Sequence, residues 1–326
     1  MYRADNFMMK FILIAAFALI ALNSAAQENT EPAGAGKTSE TDYSAVSLPV
    51  NVYDTFTFSE SKSPFIRYSI IIGGPAVMTI YGLATWGWGS FDKFAFQPET
   101  YKGPHAVNGA ADKYGHAWLN FAGKRFFTFM FRASGSSRLR SNIEGAALMD
   151  VTGLICELGD GVSPDYGFDP YDFLFNQFGI FFGMLLDWSP LLDGIFTLKW
   201  EYWPSRAMKK EFDKEHFDFA TDYSGSKYIL TTKLGGIPYI SRTPLRYLDV
   251  DIGYYTRGYR DSKYYPSRKR AVYLGLSMNF TFAFGDLLPV GFTSSTMQTF
   301  FNYYHPAWDL EVKNKIISDR PHDEFQ

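Results

Sequence analysis

Two periodicities divide the chain. Up to about residue 193 the apolar residues recur at helical spacing, and from Phe196 onward they alternate with polar ones. Residues 68–89 carry no charge, and although Gly73, Gly74 and Pro75 interrupt the run, its apolarity suits a helix that crosses or enters a bilayer. Residues 110–132 predict a second helix, with Lys124 and Arg125 breaking its apolar surface and Ser134-Gly135-Ser136 ending it. Residues 138–158 predict a third, on which Asp150 and Glu157 share a face. A fourth starts with Asp169 as N-cap and Pro170 as first helical residue, and is apolar nearly all round as far as Asp187. On it, Gly179 and Gly183 form a small-xxx-small pair that lets another backbone come close, inside a soluble core or against a membrane helix.

In the second half, Phe196, Leu198, Trp200 and Tyr202 form one apolar row, and Leu248, Val250, Ile252 and Tyr254 another. Tyr228, Leu230 and Leu234 form a weaker third, ended by Gly235-Gly236. The longest alternation runs over 272–284 and predicts one two-faced strand, whose apolar side must rest on helices, a second sheet or lipid. Four or five rows are too few for a complete membrane barrel, which takes about eight strands. The fold class predicted is α+β: an N-terminal bundle of about four helices over 48–190, then a small antiparallel sheet of about four strands within 191–326. A closing helix is expected near 293–304.

Composition adds limits. With 326 residues, 46% of them hydrophobic and 20% charged, the chain can bury a large core and is not intrinsically disordered. A net charge of -3 gives no global attraction to nucleic acid, which is excluded as a partner. The single cysteine, Cys156, excludes an intramolecular disulfide framework and a multi-cysteine zinc site, and reads as a packed core thiol. At the N-terminus, Arg3 and Lys10 precede an apolar stretch over 11–22, followed by small residues. That is the pattern of a cleavable signal peptide, 1–26, with the cut after Ala26. Residues 27–47 read as a flexible linker. The chain is therefore expected to be exported, to the periplasm or to the outer membrane.

Candidate chemistry lies where polar groups interrupt the apolar helices. Asp112 and His116 are four apart, adjacent on one helical face, so that the carboxylate can orient the imidazole. Glu157 and Asp160 close the third helix, and Asp172 and Asn176 again stand four apart. Gathered together, these groups suit a divalent metal or acid–base steps, with His116, Asp112 and Glu157 as candidate catalytic residues. The competing reading makes Asp112 a helix cap with a solvated Lys113, and Asp169 with Asp172 an Asp-x-x-Asp cap.

Asp112-Lys113-Tyr114-Gly115-His116, Glu157 with Asp160-Gly161, Gly167-Phe168, and Asp172-Phe173-Leu174-Phe175-Asn176 with Gly179 resemble the YfiM-like family of predicted periplasmic proteins of unknown function. More distantly, the stretch 112–183 resembles the VanZ-like membrane proteins. Residues 200–204 and 222–225 look like those of the longer YfiM-like members. The resemblance implies an exported or envelope-embedded helical bundle and no established reaction. The chain lacks the lipoprotein cysteine of the short members, so anchoring by acylation does not carry over.

Between the two best strands stand Arg257, Arg260, Arg268, Lys269 and Arg270, interleaved with tyrosines. They could bind lipid headgroups or other phosphates as an anion site, or be a solvated hairpin whose charges blunt strand edges. His105, His216, His305 and His322 read as surface. Trp86, Trp88 and Trp118 suit either a membrane-interface belt or core packing. The first function expected is that of a non-enzymatic, membrane-associated envelope protein, structural or assembling, with membrane lipid or an envelope protein as partner. The alternative is a metal-assisted or acid–base enzyme acting on an envelope lipid or lipid-linked phosphate. A third reading has a strand edge pairing with a barrel protein.

Overall fold

A computed structural model describes residues 63–100, 106–211, 219–259, 262–289 and 292–321. The expected signal peptide and linker, and Arg260, His105, His216 and His322, lie outside the described residues. The chain passes from helix to strand between Ile195 and Phe196, where the periodicity changes. Helices α1 (Ser63–Thr85), α2 (Ala111–Ala133), α3 (Arg138–Gly161) and α4 (Pro170–Trp188) form the bundle, and α5 (Pro190–Ile195) leads into the sheet. Strands β1 (Phe196–Tyr202), β2 (Ser226–Lys233), β3 (Leu248–Arg257), β4 (Ser267–Met278) and β5 (Leu310–Pro321) follow as an antiparallel meander in sequence order. Helix α6 (Arg206–Glu211) lies between β1 and β2, and α7 (Phe280–Leu287) and α8 (Phe292–Tyr303) lie between β4 and β5. The fold is α+β.

Helix α1 runs unbroken through Gly73, Gly74 and Pro75. Gly74 faces the Phe127 ring, where a Cβ would come within 2.6 Å of it, so the glycine permits the close contact. By length and composition α1 is sufficient to cross a membrane. Its outward residues, among them Phe65, Tyr68, Ile72 and Ile80, are exposed. Inward, Ile70 joins Phe127, Met130, Phe131, Ala146, Met149 and Ile180 in the bundle core. Trp88 belongs to the interior rather than to an interface belt: it is buried over Gly82 and Gly159, and its indole donates to Asp160 Oδ1 at 2.8 Å.

Helix α4 starts as its sequence predicts, with Asp169 Oδ1 accepting from Tyr171 N at 2.8 Å and Pro170 in the first turn. Its Gly179 lies directly on the backbone of α2: a Cβ there would fall 2.1 Å from the Ala117 carbonyl oxygen. This approach brings the polar side of α4 against that of α2.

The sheet departs from expectation in three ways. First, the alternation over 272–284 is not one strand. It ends at Met278, and Asn279 caps α7 by accepting from Phe282 N at 3.0 Å. Phe280 and Phe284, four apart, then stack at 6.0 Å, so an apolar pattern of period two coincides with a helical pair once a cap intervenes. Second, the expected closing helix exists as α8, yet β5 follows it and pairs with β4, a fifth strand beyond the roughly four expected. Third, the sheet turns its polar side inward. Thr197, Lys199, Thr231, Asp249 and Asp251 are buried, whereas the opposite rows retain exposed Leu230, Ile252, Leu274, Leu276 and Met278.

Candidate functional site

Helix α2 brings Asp112, Lys113 and His116 to one end of the bundle, α3 brings Glu157 and Asp160, and α4 brings Asp172 and Asn176. A fourth segment joins them. Phe96 pairs with Phe168, Gln97 N donates to Phe168 O at 3.0 Å, and Glu99 N donates to Asp169 Oδ2 at 3.2 Å, which fixes Glu99 beside the helices.

Lys113 is the centre of the group. Its Nζ lies 3.0 Å from Glu99 Oε2, 2.9 Å from Asp112 Oδ2, 2.5 Å from Asp169 Oδ2 and 2.9 Å from Asp172 Oδ1. Burial disfavours the ammonium, but the carboxylates of Asp112, Asp172 and Glu99 outweigh it and hold Lys113 above the ordinary lysine range. The capping alternative is thereby settled in part. Asp169 caps α4 with one oxygen and serves Lys113 with the other, while α2 has no side-chain cap and Lys113 is buried, not solvated.

His116 stands one helical turn further on. Its Nδ1 is 3.0 Å from Asn176 Oδ1, while Asn176 Nδ2 donates to Glu157 Oε1 at 2.9 Å. The amide is also held by Asn120 Nδ2, which donates to its oxygen. These bonds assign the Nδ1 proton to the Asn176 contact and turn Nε2 toward Asp172 Oδ1, 3.6 Å away. The imidazole is partly exposed, at 21% of its side chain. Burial lowers the affinity of His116 for its proton, yet Asp172, Glu157 and Asp112 together raise it to about 9. Burial pushes Glu157 up to about 8, against the opposing pull of His116. Glu99 rises to about 7 through burial and the neighbouring Asp112 carboxyl, and Asp160 to about 6 through burial. Asp172 is also raised, by burial. Burial is the largest cause of each of these rises, and the neighbouring carboxylates, more numerous than the cations Lys113 and His116, add to it.

Glu99, Asp112 and Asp172 each offer a carboxylate oxygen within 4.8 Å of the others, a set of hard donors that fits a divalent cation. Asp112 is 5% exposed, and its Oδ1 has no hydrogen-bond partner. Any such ion would share these carboxylates with the Lys113 ammonium. The sequence reading drew its acidic candidates from three helices and missed Glu99, which has no motif of its own. It is brought in only by the 96–168 pairing. Asp160, bonded to Trp88, is not part of the three-oxygen set.

The turn before α2 is conformationally special. Asn108, Gly109 and Ala110 all have positive φ, at 49°, 64° and 67°. The hydroxyl of Tyr254 donates to the Gly109 carbonyl, and a Cβ at Gly109 would lie 2.7 Å from Thr256 Cγ2. Two consecutive functions follow from that contact: it anchors strand β3 on the start of α2, and it stacks Tyr254 on Tyr114 at 4.4 Å. Arg270, on β4, donates to Tyr254 Oη at 2.9 Å and so stands near the site. Arg257 donates to the carbonyls of Ser226 and Thr256, and the register puts Arg257 and Lys269 on one face of the sheet, Arg268 and Arg270 on the other.

Elsewhere, the sequence reading of His305 as a surface residue is corrected. It is buried, with Nδ1 3.3 Å from Glu201 Oε2 and Nε2 3.4 Å from Asp251 Oδ2. It follows α8 directly, so the return of the chain carries it under the sheet. Cys156 is buried, and burial pushes its thiol well above the ordinary range, consistent with a packed, unreactive side chain.

Residues 98–188, which hold all of this helical site, match the model of a family described as predicted periplasmic lipoprotein (DUF2279). The match supports an exported, periplasmic protein of uncharacterised function. It does not single out the YfiM-like or VanZ-like groups. The cysteine at 156 lies inside α3 and is not an acylation site. No curated protein and no solved structure matches the chain.

Proposed function

We propose that this chain is an exported envelope enzyme whose acid–base centre acts on a phosphate-bearing envelope lipid. The observation that carries the reading is the disposition of His116: Asn176 and Glu157 fix its Nδ1 side, its Nε2 faces Asp172, and its side chain is partly exposed. Such an imidazole can deliver its Nε2 proton to a leaving oxygen, while an ionised carboxylate of the site receives a proton from the attacking water. In the hydrolysis of the terminal phosphate, water would form the new P–O bond, the bridging P–O bond would break, and the proton from His116 would leave with the departing oxygen, as an alcohol from a phosphate monoester or as a phosphate monoester from a diphosphate. Glu99, Asp112 and Asp172 would hold a divalent cation, which supplies charge neutralisation for the phosphate. Arg270, near the site through Tyr254, adds positive charge on the sheet side.

A second reading, a structural or assembly role, is favoured by a further buried network on α2. Lys124 pairs with Asp187 and Asn142, and Arg125 pairs with Asp193 at 2.7 Å, tying α2 to α3, α4 and α5. The two readings are separated by assaying the protein in mixed micelles of phosphatidate or polyprenyl diphosphate, with magnesium, manganese or calcium, and with chelator. We expect release of inorganic phosphate, lowered about 10²-fold or more by His116→Gln and by Asp172→Asn. No release from either lipid with any of the ions, or undiminished release by His116→Gln, rejects the enzyme reading.

A further inference from the structure

The strands carry an internal asymmetry that the acid–base reading does not use. By the register of β1 to β4, one face holds Trp200, Tyr228, Leu230, Ile252, Leu274 and Leu276, and the other holds every acidic residue of those four strands, Glu201, Asp249 and Asp251. In water the apolar row would be the covered one. Here the acidic residues are covered: Asp249 and Asp251 are 0% exposed, whereas Ile252 is 52% and Met278 51% exposed. Helix α2 covers only the end of the apolar face, where Trp118 packs on Trp200 at 5.0 Å and Tyr114 on Tyr254.

The charged residues that the register places on this face are cations. Arg268 and Arg270 continue the same face toward the β3–β4 hairpin, and Lys313 and Lys315 of β5 flank it through their pairing with Leu274 and Val272. Lys313 and Lys315 are exposed. An apolar patch bordered by cations, with no carboxylate on its own face of β1 to β4, is complementary to an anionic bilayer, whose acyl chains take the side chains and whose headgroups take the ammonium groups. A second copy of the chain would bring the same cations against themselves.

We infer that the outer face of the sheet is a seat on anionic lipid, with Leu230, Ile252, Leu274, Leu276 and Met278 immersed and Lys313 and Lys315 at headgroup level. This inference does not rest on the catalytic reading, since it concerns a face remote in sequence from His116 and its test involves no turnover.

The test uses the full chain with a single environment-sensitive fluorophore at Ile252→Cys or at Leu276→Cys, Cys156 being buried. Vesicles of phosphatidylglycerol in phosphatidylcholine are added, and quenching by iodide is compared with quenching by doxyl-labelled lipid. The expected result at both positions is a blue shift, loss of iodide quenching and gain of doxyl quenching. Lys313→Glu with Lys315→Glu should reduce this shift at least several-fold, as should high salt, while circular dichroism stays unchanged. A label that remains open to iodide with anionic vesicles overturns the inference. So does a label already shielded without lipid in a particle with the mass of two chains, which would assign the face to a second copy.

Discussion

Replacing Lys113 by methionine removes the one ammonium that four carboxylates share, at 2.5 to 3.0 Å, and leaves its aliphatic volume nearly intact. The resulting anions are buried, so the cheapest response is for one carboxyl group to take up a proton. For an ordinary aspartate value of 3.8 that costs about 1.4 kcal/mol per pH unit above 3.8, or about 4 kcal/mol at pH 7 and about 1.5 kcal/mol at pH 5. The figure at pH 7 agrees with the roughly 3–5 kcal/mol by which breaking a buried ion pair destabilises proteins. Urea unfolding in detergent micelles, followed by tryptophan fluorescence between pH 5 and pH 8, reads both values. The variant should be less stable than the parent at pH 7 and should recover most of the difference at pH 5. A deficit below about 1 kcal/mol at pH 7, or one of constant size across the range, refutes the view that Lys113 is the charge centre of the site.

Gly179→Ala should destabilise the bundle by about 2–3 kcal/mol, because its Cβ would meet the Ala117 carbonyl at 2.1 Å, while Gly183→Ala should cost under about 1 kcal/mol, since its nearest contacts are side-chain carbons at 3.1 to 3.5 Å rather than backbone. Thermal unfolding of the two variants in parallel checks the contrast; equal losses would contradict it. His305 titrates in the same sense as the raised carboxylates of the site. Burial lowers it, but Asp251 and Glu201 raise it from 6.5 to about 8. Its stabilising share is therefore complete below pH 6.5 and is lost as pH rises through about 8, a change of about 2 kcal/mol. The unfolding free energy of His305→Gln should lack that decline relative to the parent, and an identical pH dependence in both would remove the clamp between β1 and β3.

The partition into a helical and a strand half and the Asp169–Pro170 start of α4 were determined by local sequence alone. Each depends on residues within one turn or one period of each other. The acidic residues of three helices were also legible as a polar site, because Asp112 with His116, and Asp172 with Asn176, fall on helical faces that share a side. Glu99 was not, since it reaches the site only through a pairing between residues 96 and 168, far apart in the chain. Nor was the orientation of the sheet legible, because alternation gives two faces without saying which is inside. The helices and the returning segment around His305 decided that, by covering the polar face. In the same way Asn279 turned an apparent strand into a helix, and only the placement of β4 gave the last strand, 310–321, a partner. Hydrophobic period fixes an element's own shape; which of its faces is buried depends on what packs against it.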